Sequence, residues 1–495
     1  MEPSTPIFLP FIIERSWNIM NKQFLYDTIE KKAPLLKDLS DRIWEYAELS
    51  MLEYRSVAAY IEILKAEGFS VTEELCGIPT AFKASFGSGR PVIGILGEYD
   101  ALEGISQEAG VPNHAPIAGK ECGHGCGHNL LGAGALGAAI AIKEAIAAGK
   151  LTGTVVFYGC PGEEGCAGKT FMAWDGQFRD LDAAITWHPG DTNEVTVGSN
   201  AACLQVAYSF TGISAHAAGD PWNGRSALDA AELMNIGVQF LREHMEPKSS
   251  IHYAFADAGC ISPNVVQSKA KLIYMVRGET VRKAKALLAR VDNIAKGAAM
   301  MTDCTVTMQQ LDGTANTLSN TVLEQLLQRN FEEVKLPEYT QQELAYAAAL
   351  RATFPETNLP GQLVAENMQI KKFVWEHTDG GKKDLNDFVI PYAPACPFSP
   401  GSTDVGDVSW LTPTAQITTV TQPSGTPGHS WQTVSCGKTG IAHKGMLLAA
   451  QVLAGAAADL MTQPEILAAA QEEFRIAAME GYDCPIGPEV TPNPQ

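Results

Sequence analysis

Four short apolar runs, each ending in a Gly- or Pro-rich polar loop, constrain this chain more than any other feature. They are PVIGILGEYDAL from Pro91, GTVVFYGCPGEEG from Gly153, LDAAITWHPG from Leu181 and AQITTVTQPSGTPGHS from Ala415. Runs of this length with such boundaries read as buried strands. Between the first two lies NLLGAGALGAAIAIKEAIAAG, a long helix of small residues that Asn129 is placed to cap. Strand, loop, helix, strand in that order predicts an α/β fold with a mostly parallel sheet flanked by helices. In such sheets ligands bind beyond the carboxyl ends of the strands. Asp100, Glu163, Glu164, His188 and His429 all fall close to the end of an apolar run, so the pattern gathers them at one edge.

The remaining segments suggest how the chain is divided. From Asn21 to about Glu67 the apolar spacing is helical. Around residue 199 the pattern changes to strands alternating with two long helices, RSALDAAELMNIGVQFLREH and TVRKAKALLARVDNIAKGAAMM. We read residues 199–312 as an inserted α+β lid and dimerisation domain, with 1–198 and 313–495 as the two parts of a catalytic domain. Residues 1–20 stand as an N-terminal extension without assigned structure. A chain of 495 residues exceeds the size at which a single core stops growing, in keeping with two domains.

Composition removes several classes of function. The 56 acidic and 36 basic side chains give a net charge of −20 without a basic cluster, which argues against nucleic acid as a partner. Eleven scattered cysteines fit reduced thiols in a cytoplasm better than a disulfide framework. By residue count, no stretch reads as an eighteen-residue membrane span.

Chemistry enters at ECGHGCGHN, residues 121–129, where ligand-type side chains alternate with glycines. A closed zinc knot pairs its ligands differently, as Cys-x₂₋₄-Cys with a second pair at a distance. Extended alternation places i and i+2 on one side, which suits two neighbouring ions better than one wrapped ion. Two divalent ions need a few anionic ligands, several neutral ones and an open position for water. A thiolate, a carboxylate and three imidazoles meet that need. Glu163 and Glu164 are adjacent and diverge from one loop, so one is free to ligate while the other serves as general base.

CGH at 126–128, PGEEG at 161–165, WHP at 187–189, GISAHAA at 212–218 and TPGHS at 426–430 occur in an order that resembles the dinuclear metal-dependent peptidase and aminoacylase family. That family includes carboxypeptidase G and hippurate hydrolase, and HGCGHN resembles its p-aminobenzoyl-glutamate hydrolase branch. The resemblance implies that Cys126 bridges two divalent ions, zinc or manganese, with His128, Glu164, His188 and His429 completing the coordination. It implies Glu163 as the base of an amidohydrolase acting on N-acyl amino acids. Asp100 becomes the acid that orients a ligand imidazole. The resemblance implies that His216 reaches the scissile carbonyl across a dimer and that Asn264 and Arg277 hold a substrate carboxylate, Arg277 through its planar fork. GSTDVGD at 401–407 resembles the Gly-rich loop over the amino-acid end of the substrate. The dimer is either of identical chains or with a paralogous chain. Asn129 stands where relatives often carry Asp. Cys122 and His124 fall outside the matched core and read as loop residues. Two rivals remain: a chain that mainly partners a related hydrolase, and a thiol amidase using Cys126 or Cys122, which would survive chelation and die with alkylation.

Overall fold

The computed structural model describes residues 19–355 and 358–492. All but the last two residues of the N-terminal extension therefore lie outside the described residues. The strands are β1 (Ser70–Thr72), β2 (Phe82–Ser88), β3 (Val92–Gly97), β4 (Gly153–Gly159), β5 (Ala183–Gly190), β6 (Glu194–Val195), β7 (Ser199–Asn200), β8 (Ala202–Thr211), β9 (Ser250–Asp257), β10 (Lys269–Gly278), β11 (Thr305–Thr314), β12 (Phe398–Ser399) and β13 (Thr414–Val420).

Seven strands form the main sheet in the order β1-β2-β4-β3-β5-β13-β6. Its centre, β4-β3-β5-β13, is parallel. The edge pairings β1 with β2, β2 with β4 and β13 with β6 are antiparallel. The fold is thus the expected α/β arrangement, with antiparallel margins that the apolar runs did not reveal. Alternation along the central strands explains why both faces are covered. Ile93, Ile95, Val155, Phe157, Ile185 and Trp187 enter one core. Leu96, Val156, Tyr158 and Ala184 enter another on the opposite side.

On the first face the helix His128–Ala147 packs between Ile19–Tyr46 and Gly440–Thr462. Its small residues permit close approach: a Cβ at Gly134 would lie 2.8 Å from the Trp187 ring. Trp187 is fully buried and donates from Nε1 to the Leu131 carbonyl at 2.8 Å. Asn129 does not cap this helix. The N-cap is Gly127, and the Asn129 amide instead donates to Ser40 Oγ and to the Gly437 carbonyl, tying three segments together. The count of apolar stretches also needs correction. His128–Ala147 and Gly440–Thr462 are long and apolar enough to cross a membrane by composition, yet 83% and 89% of their apolar windows are buried inside the protein.

The second sheet, β11-β8-β10-β9, is antiparallel. The helices Ala227–Leu241 and Val281–Met301 pack on it, around a core that includes Tyr208, Met234, Tyr274 and Val291. Ser226 and Thr280 cap these helices by accepting backbone N–H bonds from Asp229 and Lys283. From His252 to Asp257 the edge strand β9 is exposed. None of the eleven cysteines is in a disulfide.

Candidate metal centre

Four parallel strands deliver the candidate side chains. Glu98 and Asp100 follow β3, Glu163 and Glu164 follow β4, His188 lies near the end of β5, and His429 sits in the loop after β13. Cys126 precedes the helix His128–Ala147, and His128 begins it. Gly127 joins them with φ of 78°, and a Cβ there would fall 2.9 Å from Pro189. Only glycine lets this turn lie against the end of β5. His429 also has a left-handed backbone, φ 52°, and its N–H donates to the Gly125 carbonyl at 2.9 Å. Strained non-glycine backbone of this kind persists where surrounding structure holds it, often at functional sites.

Cys126 Sγ lies 3.3 Å from His188 Nε2. The other ring nitrogen of His188 is 2.7 Å from the Pro189 carbonyl, so as donor there it leaves Nε2 with a free lone pair. His128 Nδ1 is 2.9 Å from Asp100 Oδ1. The second Asp100 oxygen accepts from Ser50 Oγ and from the Glu164 N–H, both at 2.9 Å. Asp100 thus orients an imidazole and anchors the Glu163–Glu164 loop together. His429 Nε2 lies 3.4 Å from Glu164 Oε2.

These contacts resolve into two donor sets, Cys126 with His128 and His188, and Cys126 with Glu164 and His429, each with its ligand atoms within 4.8 Å of one another. Cys126 belongs to both. The buried Glu164 Oε1 has no hydrogen-bond partner, and His128 Nε2 makes no hydrogen bond although the Glu98 Oε2 carboxylate oxygen lies 3.2 Å away. Buried lone pairs without a proton donor are costly in a protein interior, and a cation satisfies them. Thiolate, carboxylate and imidazole together are the ligand chemistry of zinc and similar ions. The donor set therefore fits a pair of divalent cations.

Burial, with the Glu164 and Glu163 carboxylates nearby, pushes the Cys126 thiol up to about 12, so binding a cation there releases a proton. Glu163 is raised well above the ordinary carboxyl range by burial and then by its acidic neighbours Glu98, Asp404 and Glu164. Glu53 is raised to about 8 by burial and Asp100, and it accepts the Gly162 N–H at 2.8 Å, fixing the turn that carries Glu163.

Cys126, Glu163, Glu164, His188 and His429 line one cleft of 280 Å³, with Ser402 and Thr403 of the Gly-rich loop on its wall. Arg277 reaches this wall, its Nε donating to Ser402 Oγ at 3.2 Å. His216 and Asn264 do not line the cleft. Exposed at the tip of the second unit, they lie side by side, where the Ala217 N–H donates to the Asn264 carbonyl. The fully buried ring of His124 meets the Ile43 carbonyl at 3.0 Å, and Cys122 is half-buried outside both donor sets. The structure adds residues that sequence reasoning missed: Glu53, Glu98, Lys169 and Asp404, all buried around the site. Glu98 carried a visible signal, two residues before Asp100 at the same strand end. Lys169 and Asp404 carried none, because their meeting is a product of the fold.

Residues 94–369 match the model of peptidase family M20/M25/M40. Along most of its length the chain is 42% identical to the B subunit of p-aminobenzoyl-glutamate hydrolase from Escherichia coli, an alignment spanning 95% of this chain and 98% of that protein. It is 30% identical to the A subunit of the same bacterial hydrolase over 45% of this chain and 53% of that one. Among solved structures, a Bacillus subtilis protein described as a dinuclear metal-binding peptidase of the M20 family shares the fold. Its TM-score is 0.54 at 18% identity, covering 87% of this chain and 99% of that one. The chain belongs to peptidase family M20/M25/M40, and it is a hydrolase acting on amide bonds.

Proposed function

We propose that the chain removes the amino acid from N-acyl amino acids, with p-aminobenzoyl-glutamate or a similar aroyl conjugate as the substrate to test first. The observation that carries this reading is Cys126 shared between two donor sets, with Glu163 in the same cleft. Two divalent cations, zinc or manganese, would be held by Cys126, His128, Glu164, His188 and His429 and would supply Lewis-acid charge to the amide carbonyl and to water. Glu163 takes the proton of the attacking water and returns it to the leaving amine, a task suited to a carboxyl whose pKa is raised. Asp100 holds the His128 ring in place. Ser402 and Thr403 line the cleft and Arg277 holds Ser402; a free carboxylate bound at this wall would favour terminal over internal cleavage.

His216 and Asn264 lie outside the cleft of their own chain, and this supports a second chain as their point of use. We read 199–312 as the unit through which such a pair forms, either as a homodimer or with a paralogous chain. The relative at 42% identity is by name one of two kinds of chain in its hydrolase, which favours the second arrangement and keeps alive the reading of a weakly active partner chain.

The test is a hydrolysis panel of N-acyl amino acids with zinc- and manganese-loaded protein, alone and with a paralogous chain resembling the A subunit of the Escherichia coli hydrolase. Turnover by the isolated chain supports the enzyme reading, and turnover only in the mixture supports the partner reading. Glu163→Ala should keep its metal while losing a hundredfold or more in kcat. Unchanged turnover in that variant removes Glu163 as base, and activity that survives chelation but not alkylation transfers the chemistry to a thiol.

A further inference from the structure

Glu98 is a carboxylate at the centre that neither donor set uses. Its Oε2 lies 3.2 Å from His128 Nε2, the nitrogen left for a cation once Nδ1 is taken by Asp100. Glu98, His128 and Glu163 form a third group of ligand atoms within 4.8 Å of one another. By position and chemistry Glu98 is a ready additional ligand. Its other oxygen, however, lies 2.6 Å from Lys169 Nζ. Lys169 is fully buried, and its ammonium is gripped on a second side by Asp404 Oδ1, also at 2.6 Å. The remaining Asp404 oxygen accepts the Lys169 N–H at 2.8 Å, so the lysine is fixed by both its backbone and its tip. Glu98 faces a cation on one side and the candidate centre on the other.

The geometry points to Lys169 as a positioning residue that engages one oxygen of Glu98, keeps this carboxylate from joining the cation ligands and so leaves a coordination place for water. This rests on the reading that two cations occupy the centre. The physical reason is competition for one carboxylate. A catalytic site differs from a closed structural one by a ligand position left to water, and a further carboxylate beside His128 would fill it. An ammonium in a buried, low-dielectric site attracts Glu98 strongly and repels a dication that would share it. Asp404 supplies the opposing charge that makes burial of the lysine tolerable. Asp404 also lies in the Gly-rich loop 401–407, so one ion triad links the metal end of the cleft to the wall bearing Ser402 and Thr403.

The test uses the full chain loaded with cobalt(II), whose visible absorption reports ligand number, together with manganese affinity measured against a competing chelator. Glu98→Gln with Lys169 intact should leave cobalt bands and manganese affinity as in the wild type, since Glu98 is then no ligand. Lys169→Met should change the bands and tighten manganese binding tenfold or more. Adding Glu98→Gln to it should restore both, and Lys169→Arg should behave as wild type. Altered bands in Glu98→Gln alone overturn the proposal, as do wild-type bands in a folded Lys169→Met or a Lys169→Met change that persists in the double variant. If Lys169→Met fails to fold, Lys169→Gln replaces it in the same comparison, and wild-type bands in a folded Lys169→Gln overturn the proposal. Wild-type protein that binds two ions yet hydrolyses nothing on the panel removes the hydrolase reading and leaves this comparison standing. Protein that binds no cobalt overturns both.

Discussion

Glu324 offers a perturbation whose sign and size follow from its surroundings. It lies in the helix Thr321–Glu333, is 2% exposed, lines the cleft and accepts a hydrogen bond from Tyr392 at 3.0 Å. Burial raises its carboxyl from 4.5 to about 7, against the opposing effect of that hydrogen bond. The folded protein therefore keeps a proton that the unfolded chain has lost. Stability contributed by this group is highest below the unfolded pKa and falls as pH rises towards 7. At about 1.4 kcal/mol per pH unit, the completed loss is about 3 kcal/mol. Glu324→Gln cannot ionise and still accepts from Tyr392. In chelated protein, urea unfolding should show the variant more stable than wild type by about 3 kcal/mol at pH 8 and by less than about 1 kcal/mol at pH 5. An equal difference at the two pH values, or a less stable variant at pH 8, would refute the burial argument.

Three further outcomes follow from the same structure. Because Cys126 belongs to both donor sets, Cys126→Ala should lose both ions, whereas His429→Ala should lose one, measured as metal per chain after dialysis. Asp100→Asn should weaken metal binding by about 10- to 100-fold by loosening the His128 ring, read by chelator competition. Gly132→Ala should destabilise the fold by about 1–3 kcal/mol, read by thermal unfolding, because its Cβ would fall 2.2 Å from Tyr60 Oη and 2.5 Å from the Glu98 carbonyl.

Legibility in the sequence followed burial. The central strands were visible because both faces are covered and the runs are uniformly apolar. The strand β2 was missed because its burial fades towards Ser88, and β9 because it is exposed from His252 onward. Asn129 was misread as a cap because its residue type suits one, while a left-handed glycine took that position and the amide turned to helix packing. Strand ends announced Asp100, Glu163, Glu164 and His188. Lys169 and Asp404 gave no sign, since an ion pair between residues so far apart in the chain exists only once the sheet has closed. His216 was expected from the sequence to act across a dimer, whereas Asn264 was expected beside Arg277 and lies instead next to His216, outside the cleft.

The place of β13 in the sheet has a consequence for biosynthesis. It lies between β5 and β6, strands made long before it, and its register runs from Thr414 beside Ala184 to Val420 beside Gly190. A nascent chain emerging from the ribosome must hold β5 with an unsealed flank until Thr414–Val420 has been made. His429 arrives later still, so the nascent polypeptide cannot complete its second donor set early. Metal capture at that set is thereby a report that synthesis has passed His429.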